Sequence, residues 1–341
     1  MDFPLGLDTK PMEARSVAAL PEGLEWQFEP KWDGFRCLAF KSGDAVELRA
    51  KSGKPLGRYF PEMLEALRQA TGGQFVLDGE LVLRRDGALA FEALQDRLHP
   101  AASRVRTLAA ATPAELILFD CLADPDGPML DRDLGGRRAA LAAVAAGLPA
   151  ERFRLTPCTT DRNAAQAWLD DALGGTDGVV AKRLDLPYRP GERTMLKIKT
   201  LRTADCVVGG FRYATGSKLV GSLLLGLFND DGLLDLVGFT SGFTDRERPA
   251  ITRVVEALKG PPGFTGRAPG GPSRWQTERS EAWQPLRLRL VVEVRYDHVT
   301  GARFRHGATF IRWRPDKDPS QCRMDQMRQK AATHPLSMGS P

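Results

Sequence analysis

Glu29-Pro30-Lys31-Trp32-Asp33-Gly34-Phe35-Arg36 is followed, in this order, by Leu77-Asp78-Gly79-Glu80, Asp177-Gly178-Val179-Val180-Ala181-Lys182 and Lys197-Ile198-Lys199. A lysine followed by an acid, a flexible glycine and an arginine, with carboxylates and more lysines downstream, supplies a nucleophile, a metal site and a phosphate clamp. Around the first stretch apolar residues alternate: Trp26 and Phe28, then Phe35, Cys37 and Phe40, then Val46 and Leu48. That period predicts strands with turns at Asp33-Gly34 and Ser42-Gly43-Asp44, so Lys31 falls at a strand end or turn.

Further out, an amphipathic helix is expected from Pro61, ended by Thr71-Gly72-Gly73. Residues 75–77 and 80–83 read as the strands of a hairpin, with Asp78 and Glu80, two apart, on one strand face. Residues 116–120 form a short buried strand, residues 137–146 an Ala-rich helix ended by Gly147, and residues 179–180 and 195–199 the last strands of this domain. After about Thr203 the pattern changes to short strands at 206–213, 223–228, 233–239, 288–294 and 309–314, with a helix at 245–258. Five strands with a helix between the third and fourth is the order of an oligonucleotide-binding (OB) barrel, a small SH3-like barrel being the alternative. The fold class is therefore α+β, with domains at 1–200 and 201–330 and a disordered tail at 331–341.

A chain of 341 residues, 42% hydrophobic, can fill a core in each domain. The N-terminus lacks signal-peptide character and no stretch approaches the roughly 18 apolar residues of a membrane span, which makes the chain cytoplasmic with no membrane partner. Its five cysteines are far apart and include no C-x-x-C pair, which argues against a zinc ribbon or disulfide framework. The net charge of +5 is unevenly placed. Residues 1–200 carry 27 Lys and Arg against 29 Asp and Glu, whereas residues 201–341 carry 21 against 14. Such a basic C-terminal module suits a polyanion, or simply a solvated surface.

A protonated lysine is a poor nucleophile, and nearby cations or burial lower its pKa. Lys197, Lys199, Arg36 and a bound metal would serve that purpose for Lys31 while neutralising a triphosphate, and in-line attack at an α-phosphate would leave a lysyl phosphoramidate. Asp78, Glu80 and Asp177 are candidate carboxylates for Mg²⁺. Phe119, beside Asp120, can stack on a purine or fill the core. The cluster of Arg303, Phe304 and Arg305 through Arg312, Trp313, Arg314 and Lys317 interleaves cations with aromatics, a texture that suits phosphate contact and base stacking and that ordinary sheet surfaces also carry.

Taken in order, these segments resemble the six motifs of covalent nucleotidyltransferases, most closely the small bacterial ATP-dependent DNA ligases of the LigC type, from about Pro4 to Lys317. The resemblance implies a two-domain ligase core, an antiparallel-sheet adenylylation domain plus an OB-fold, that seals 3′-hydroxyl/5′-phosphate nicks through lysyl-AMP and DNA-adenylate in DNA repair. By it Lys31, Lys197 and Lys199 are catalytic; Glu29, Asp33, Arg36, Lys51, Glu80, Phe119 and Lys182 bind the nucleotide with Arg312, Asp316 and Lys317; and Asp177 and Glu80 bind metal. ATP and Mg²⁺, with Mn²⁺ as a substitute, are the implied cofactors, and nicked duplex DNA and repair proteins the partners of a monomer. A hinge near 200–203 would swing the barrel, presenting Arg312 to Lys317 to pyrophosphate first and a DNA-binding face later. Three departures stand out: Ala50-Lys51-Ser52 where the family has Ser-Arg-Asn, Asp177 where it has Glu, and Met195 where Trp is usual. An RNA ligase or capping guanylyltransferase shares the lysine chemistry, and a non-catalytic nucleic-acid-binding module could keep the scaffold.

Overall fold

The computed structural model describes residues 3–85, 88–170, 176–199, 202–270 and 282–327. The chain divides into two compact units, Met1–Thr200 and Leu201–Gln329. The expected tail at 331–341, and residues 200 and 201 of the expected hinge, lie outside the described residues.

In the first unit the strands are β1 (Ala14–Ser16), β2 (Trp26–Trp32), β3 (Phe35–Ser42), β4 (Ala45–Ala50), β5 (Gln74–Arg85), β6 (Ala114–Asp124), β7 (Thr176–Arg183) and β8 (Met195–Lys199). They form a smaller sheet in the order β1-β8-β7-β2 and a larger one whose centre runs β4-β3-β5-β6. β2 and β3 belong to different sheets, so Asp33-Gly34 is the link by which the chain crosses from one to the other. Leu38, Phe40, Val76 and Leu122 of the larger sheet pack with Met195 of β8 and with Met12, joining the two. The larger sheet's other face buries Leu77, Leu81 and Leu118 against Met63 and Leu67 of helix Pro61–Gln69 and Leu141 and Val144 of helix Leu134–Ala145. That second helix begins three residues earlier than its alanines suggest, because the Asp133 carboxylate caps it by accepting from Gly136 N at 2.7 Å.

The expected hairpin at 75–83 is instead one continuous strand, β5. Gly79 marks a close approach and no turn: a Cβ there would lie 2.7 Å from the Ile117 carbonyl of β6, and the pairing shifts register between Asp78 and Gly79. Asp78 and Glu80 nonetheless keep the two-residue spacing of a common face.

The second unit contains β9 (Arg202–Tyr213), β10 (Val220–Phe228), β11 (Leu234–Thr240), helix Arg248–Glu256, β12 (Val291–Tyr296) and β13 (Thr309–Trp313). The strand order is β11-β10-β9-β12-β13. The outer strands then meet, with Ala308 N donating to Phe239 O at 2.8 Å beside a Thr240–Ala308 bridge, which closes the barrel. Closure removes the exposed edges that an open sheet would leave. Ile251 and Val255 of the helix enter a core with Val207, Phe211, Leu225 and Val292. A ribbon of two-residue strands, Val299–Thr300 and Arg303–Phe304, was not expected; elements so short carry no readable period.

Candidate active site

Where the two sheets of the first unit face each other they leave a cavity lined from both sides, by Glu29, Lys31, Lys182 and Lys197 of the smaller sheet and Arg36, Glu80 and Phe119 of the larger. Lys31 is brought there as the last residue but one of β2. Its neighbour Trp32 anchors the strand end, donating from Nε1 to Thr156 Oγ1 at 2.9 Å.

The Lys31 ammonium donates to Asp177 Oδ1 at 2.6 Å. Asp177 reaches it because the β7–β2 pairing is irregular between Thr176 and Val179, a bulge that re-aims a side chain. Gly178 permits the bulge: its φ is 146°, and a Cβ there would lie 1.9 Å from the Ile198 carbonyl.

Deeper in, Lys182 and Glu29 form a buried ion pair at 2.8 Å, their side chains 4% and 3% exposed. Gln27 donates to the other Glu29 oxygen at 2.8 Å, and Lys182 donates to Phe119 O at 3.0 Å. The Phe119 ring lies 4.7 Å from the Lys182 ammonium and 4.5 Å from the Arg36 guanidinium. Two cations therefore lie against a ring that lines the cavity, each of them paired with a buried carboxylate, Lys182 with Glu29 and Arg36 with Asp78.

Arg36 is held by Asp78, Nε to Oδ1 at 2.5 Å and Nη2 to Oδ2 at 2.6 Å. Asp78 is fully buried, and its Oδ2 also accepts from the Tyr188 hydroxyl at 2.6 Å. This removes Asp78 from the candidate metal carboxylates, since its oxygens are committed to Arg36 and Tyr188. Glu80 differs: burial, partly offset by Arg36 and Lys31, pushes its carboxyl up to about 7. Asp33, in the inter-sheet link, adds to that rise by like-charge repulsion.

Burial, then repulsion from Lys31 and Lys199, lowers the pKa of Lys197. Lys199 stands opposite Gly178 in the β7–β8 ladder, next to Asp177. Lys51 pairs with Glu13 at 3.0 Å and, chiefly through that hydrogen bond, holds the Glu13 carboxyl low. Among the described residues no group of three or more His, Cys, Asp or Glu could hold a metal ion by itself. Mg²⁺ demands less than three protein ligands, since it takes one or two carboxylates and completes its shell with phosphate oxygens and water.

Arg312, Asp316 and Lys317 lie in the second unit. Arg312 pairs with Glu293 at 2.7 Å, Lys317 with Asp205 at 3.2 Å, and Arg314 with both Asp205 and Asp316 at 2.8 Å. Arg314, by hydrogen bonding, holds the Asp316 carboxyl down to about 2.

Sequence reasoning missed the run from Pro11 to Ala14, which lines the cavity. Met12 takes part through its main chain, which leaves no side-chain signature, and Glu13 meets Lys51 only through the fold. Tyr188 was also passed over, having no motif spacing to mark it.

Residues 11–199 match the family described as ATP dependent DNA ligase domain, and residues 216–317 match ATP dependent DNA ligase C terminal region. The chain is 45% identical to DNA ligase C2 of Mycolicibacterium smegmatis and 44% identical to DNA ligase C of Mycobacterium tuberculosis, in each case over 96% of both chains. Among solved structures, the ligase domain of M. tuberculosis LigD superposes with a TM-score of 0.50 at 28% identity, over 93% of this chain and 98% of that one. A Lig E DNA ligase shares the fold with a TM-score of 0.55 at 18% identity, over 89% of this chain and 100% of that one.

Proposed function

The chain belongs to the ATP-dependent DNA ligase family, and from that premise we propose that the cavity between its two sheets is where Lys31 takes AMP from ATP and passes it to nicked DNA. The observation that carries this reading is the lysine itself, on the cavity wall with its ammonium on Asp177 and with Lys182, Lys197 and Arg36 on the same walls.

In the first step Lys31 Nζ, having lost its proton, attacks the α-phosphorus; an N–P bond forms, the bond to the bridging oxygen breaks, and pyrophosphate leaves. Lys197 and Lys199 bear on the phosphates, where charge grows as the leaving group departs. Glu29, fixed by Lys182 and Gln27, and Phe119 receive the base, while Asp33 and Arg36 take the ribose side. A divalent cation held by Glu80 and Asp177 would draw charge from the phosphates. Arg312, Asp316 and Lys317 orient the pyrophosphate. In the second step a 5′-phosphate oxygen at the nick displaces Lys31 from AMP, giving a DNA-adenylate, and in the third the 3′-hydroxyl displaces AMP and seals the strand.

The adenylylation domain is residues 1–200 and the OB-fold domain 201–330. The protein acts as a monomer in the cytoplasm on nicked duplex in DNA repair, with repair proteins as partners. A relative named as a multifunctional non-homologous end joining DNA repair protein, LigD of M. tuberculosis, 30% identical over 90% of this chain, supports the repair role. Among the described residues no helix is long and apolar enough to cross a membrane.

The test is transfer of label from α-labelled ATP. Parent protein should gain one acid-labile AMP on Lys31 and release it on nicked duplex as sealed strand appears; label mapped to another residue would overturn the assignment.

A further inference from the structure

Tyr188 lies outside the motifs, between β7 and β8, and is 1% exposed. Its hydroxyl donates to Asp78 Oδ2 at 2.6 Å and accepts from Met12 N at 2.7 Å. Arg36 Nη2 donates to that same Asp78 oxygen at 2.6 Å and to Met12 O at 3.2 Å. Met12 N–H, Tyr188, Asp78, Arg36 and Met12 C=O thus form a closed ring of hydrogen bonds. Met12 and Arg36 line the cavity; Asp78 and Tyr188 stand behind them.

The ring has one plain electrostatic logic. A guanidinium next to an apolar ring can turn about its long side chain, and a bidentate carboxylate held from the far side fixes the plane of its fork. Tyr188 is that far-side hold. Burial, and next to it the Asp78 charge, pushes its phenol well above the ordinary value, so it stays a donor. The Arg137 guanidinium, 5.6 Å over the Tyr188 ring and itself paired with Asp120, fixes the phenol from behind.

We infer that Tyr188 is a positioning residue for adenylylation: its hydroxyl, through Asp78, sets the Arg36 guanidinium on the cavity wall at the geometry the nucleotide requires. The inference rests on the assignment of this cavity to the AMP-transfer chemistry. It goes beyond packing, because a phenol that only filled space would be replaced by phenylalanine at no cost to the reaction.

A double-mutant cycle on the full chain separates positioning from stability. Single-turnover lysyl-AMP formation from α-labelled ATP is measured for the parent, Tyr188→Phe, Arg36→Ala and the double variant, with melting temperatures alongside. Tyr188→Phe should slow adenylylation about tenfold in the parent, the scale of one lost buried hydrogen bond, yet less than about twofold when Arg36 is already alanine. Equal factors in both backgrounds, or no slowing in a folded Tyr188→Phe protein, would overturn the inference and leave the Lys31 assignment standing. A parent chain that accepts no label would overturn both. Should Tyr188→Phe not fold, Tyr188→His, which keeps a ring and a hydrogen-bond donor, replaces it in the same cycle: a parental rate in that variant with a slowed rate in Tyr188→Leu is expected, and equal rates in the two would overturn the inference.

Discussion

Lys31 rests as an ammonium on a carboxylate, and an ammonium has no lone pair to attack with. The Asp177 pair therefore has to open, or its proton has to leave, before the first bond forms. Lys31→Ala should abolish the AMP adduct while the far-ultraviolet circular dichroism stays that of the parent, and Lys31→Arg should fail too, since guanidinium does not deprotonate at working pH. Lys197→Ala should slow single-turnover adenylylation by one to two orders of magnitude, a charge-assisted contact being worth about 1.5–3 kcal/mol. Near-parental rates would show that Lys197 does not bear on the phosphates. Glu80 gives a signature in metal-free protein. Its carboxyl rises from an ordinary 4.5 to about 7 on folding, so between those values the folded state holds a proton that the unfolded state has lost. That stabilisation is whole below 4.5 and gone above about 7. In melting curves across this range the parent should lose ground to Glu80→Gln as pH rises; parallel curves would show that Glu80 is not so placed.

At the scale of strands and bulges, motif spacing in the sequence was a good guide to which residues share the cavity and a poor guide to how they get there. Glu29, Lys31, Lys182 and Lys197 come together because alternation puts them on one side of their strands. The route could not be read in advance: that β2 and β3 part into different sheets, or that Gly79 lies inside a strand, depends on pairings between residues far apart in sequence. Asp78 shows the limit best. A carboxylate beside a metal candidate looks like a ligand until Arg36 and Tyr188, 42 earlier and 110 later in the chain, are seen to occupy its oxygens. Gly178 is the element-level test of the bulge. Gly178→Ala would put a methyl on the Ile198 carbonyl at a φ of 146°, at a cost of about 1–3 kcal/mol, and would draw Asp177 off Lys31. A lower melting temperature with slowed adenylylation is expected; a parental rate would mean that the bulge does not place Asp177.

On the scale of the whole molecule, the barrel was legible as five strands and a helix in order, and its closure was not, because that rests on pairing between residues far apart in sequence, Phe239 and Thr240 with Ala308. A fragment ending near Leu201 holds all of the first unit's core and should fold, yet label poorly with ATP for want of Arg312 and Lys317. Arg312→Ala in the full chain should impair labelling and spare the sealing of a pre-adenylylated nick; equal losses in both would make Arg312 a structural residue of the barrel.

The corner around Arg312 has a further consequence for solution behaviour. Arg312, Arg314 and Lys317 are matched by Glu293, Asp205 and Asp316, so this patch is close to neutral even though the C-terminal region is basic. It carries its counterions as side chains and has few mobile ions to shed when a phosphate arrives. Ionic strength should therefore govern DNA affinity through the remaining cations of the barrel, and the log–log salt slope of nicked-duplex binding should be the same with Arg312 as with alanine in its place.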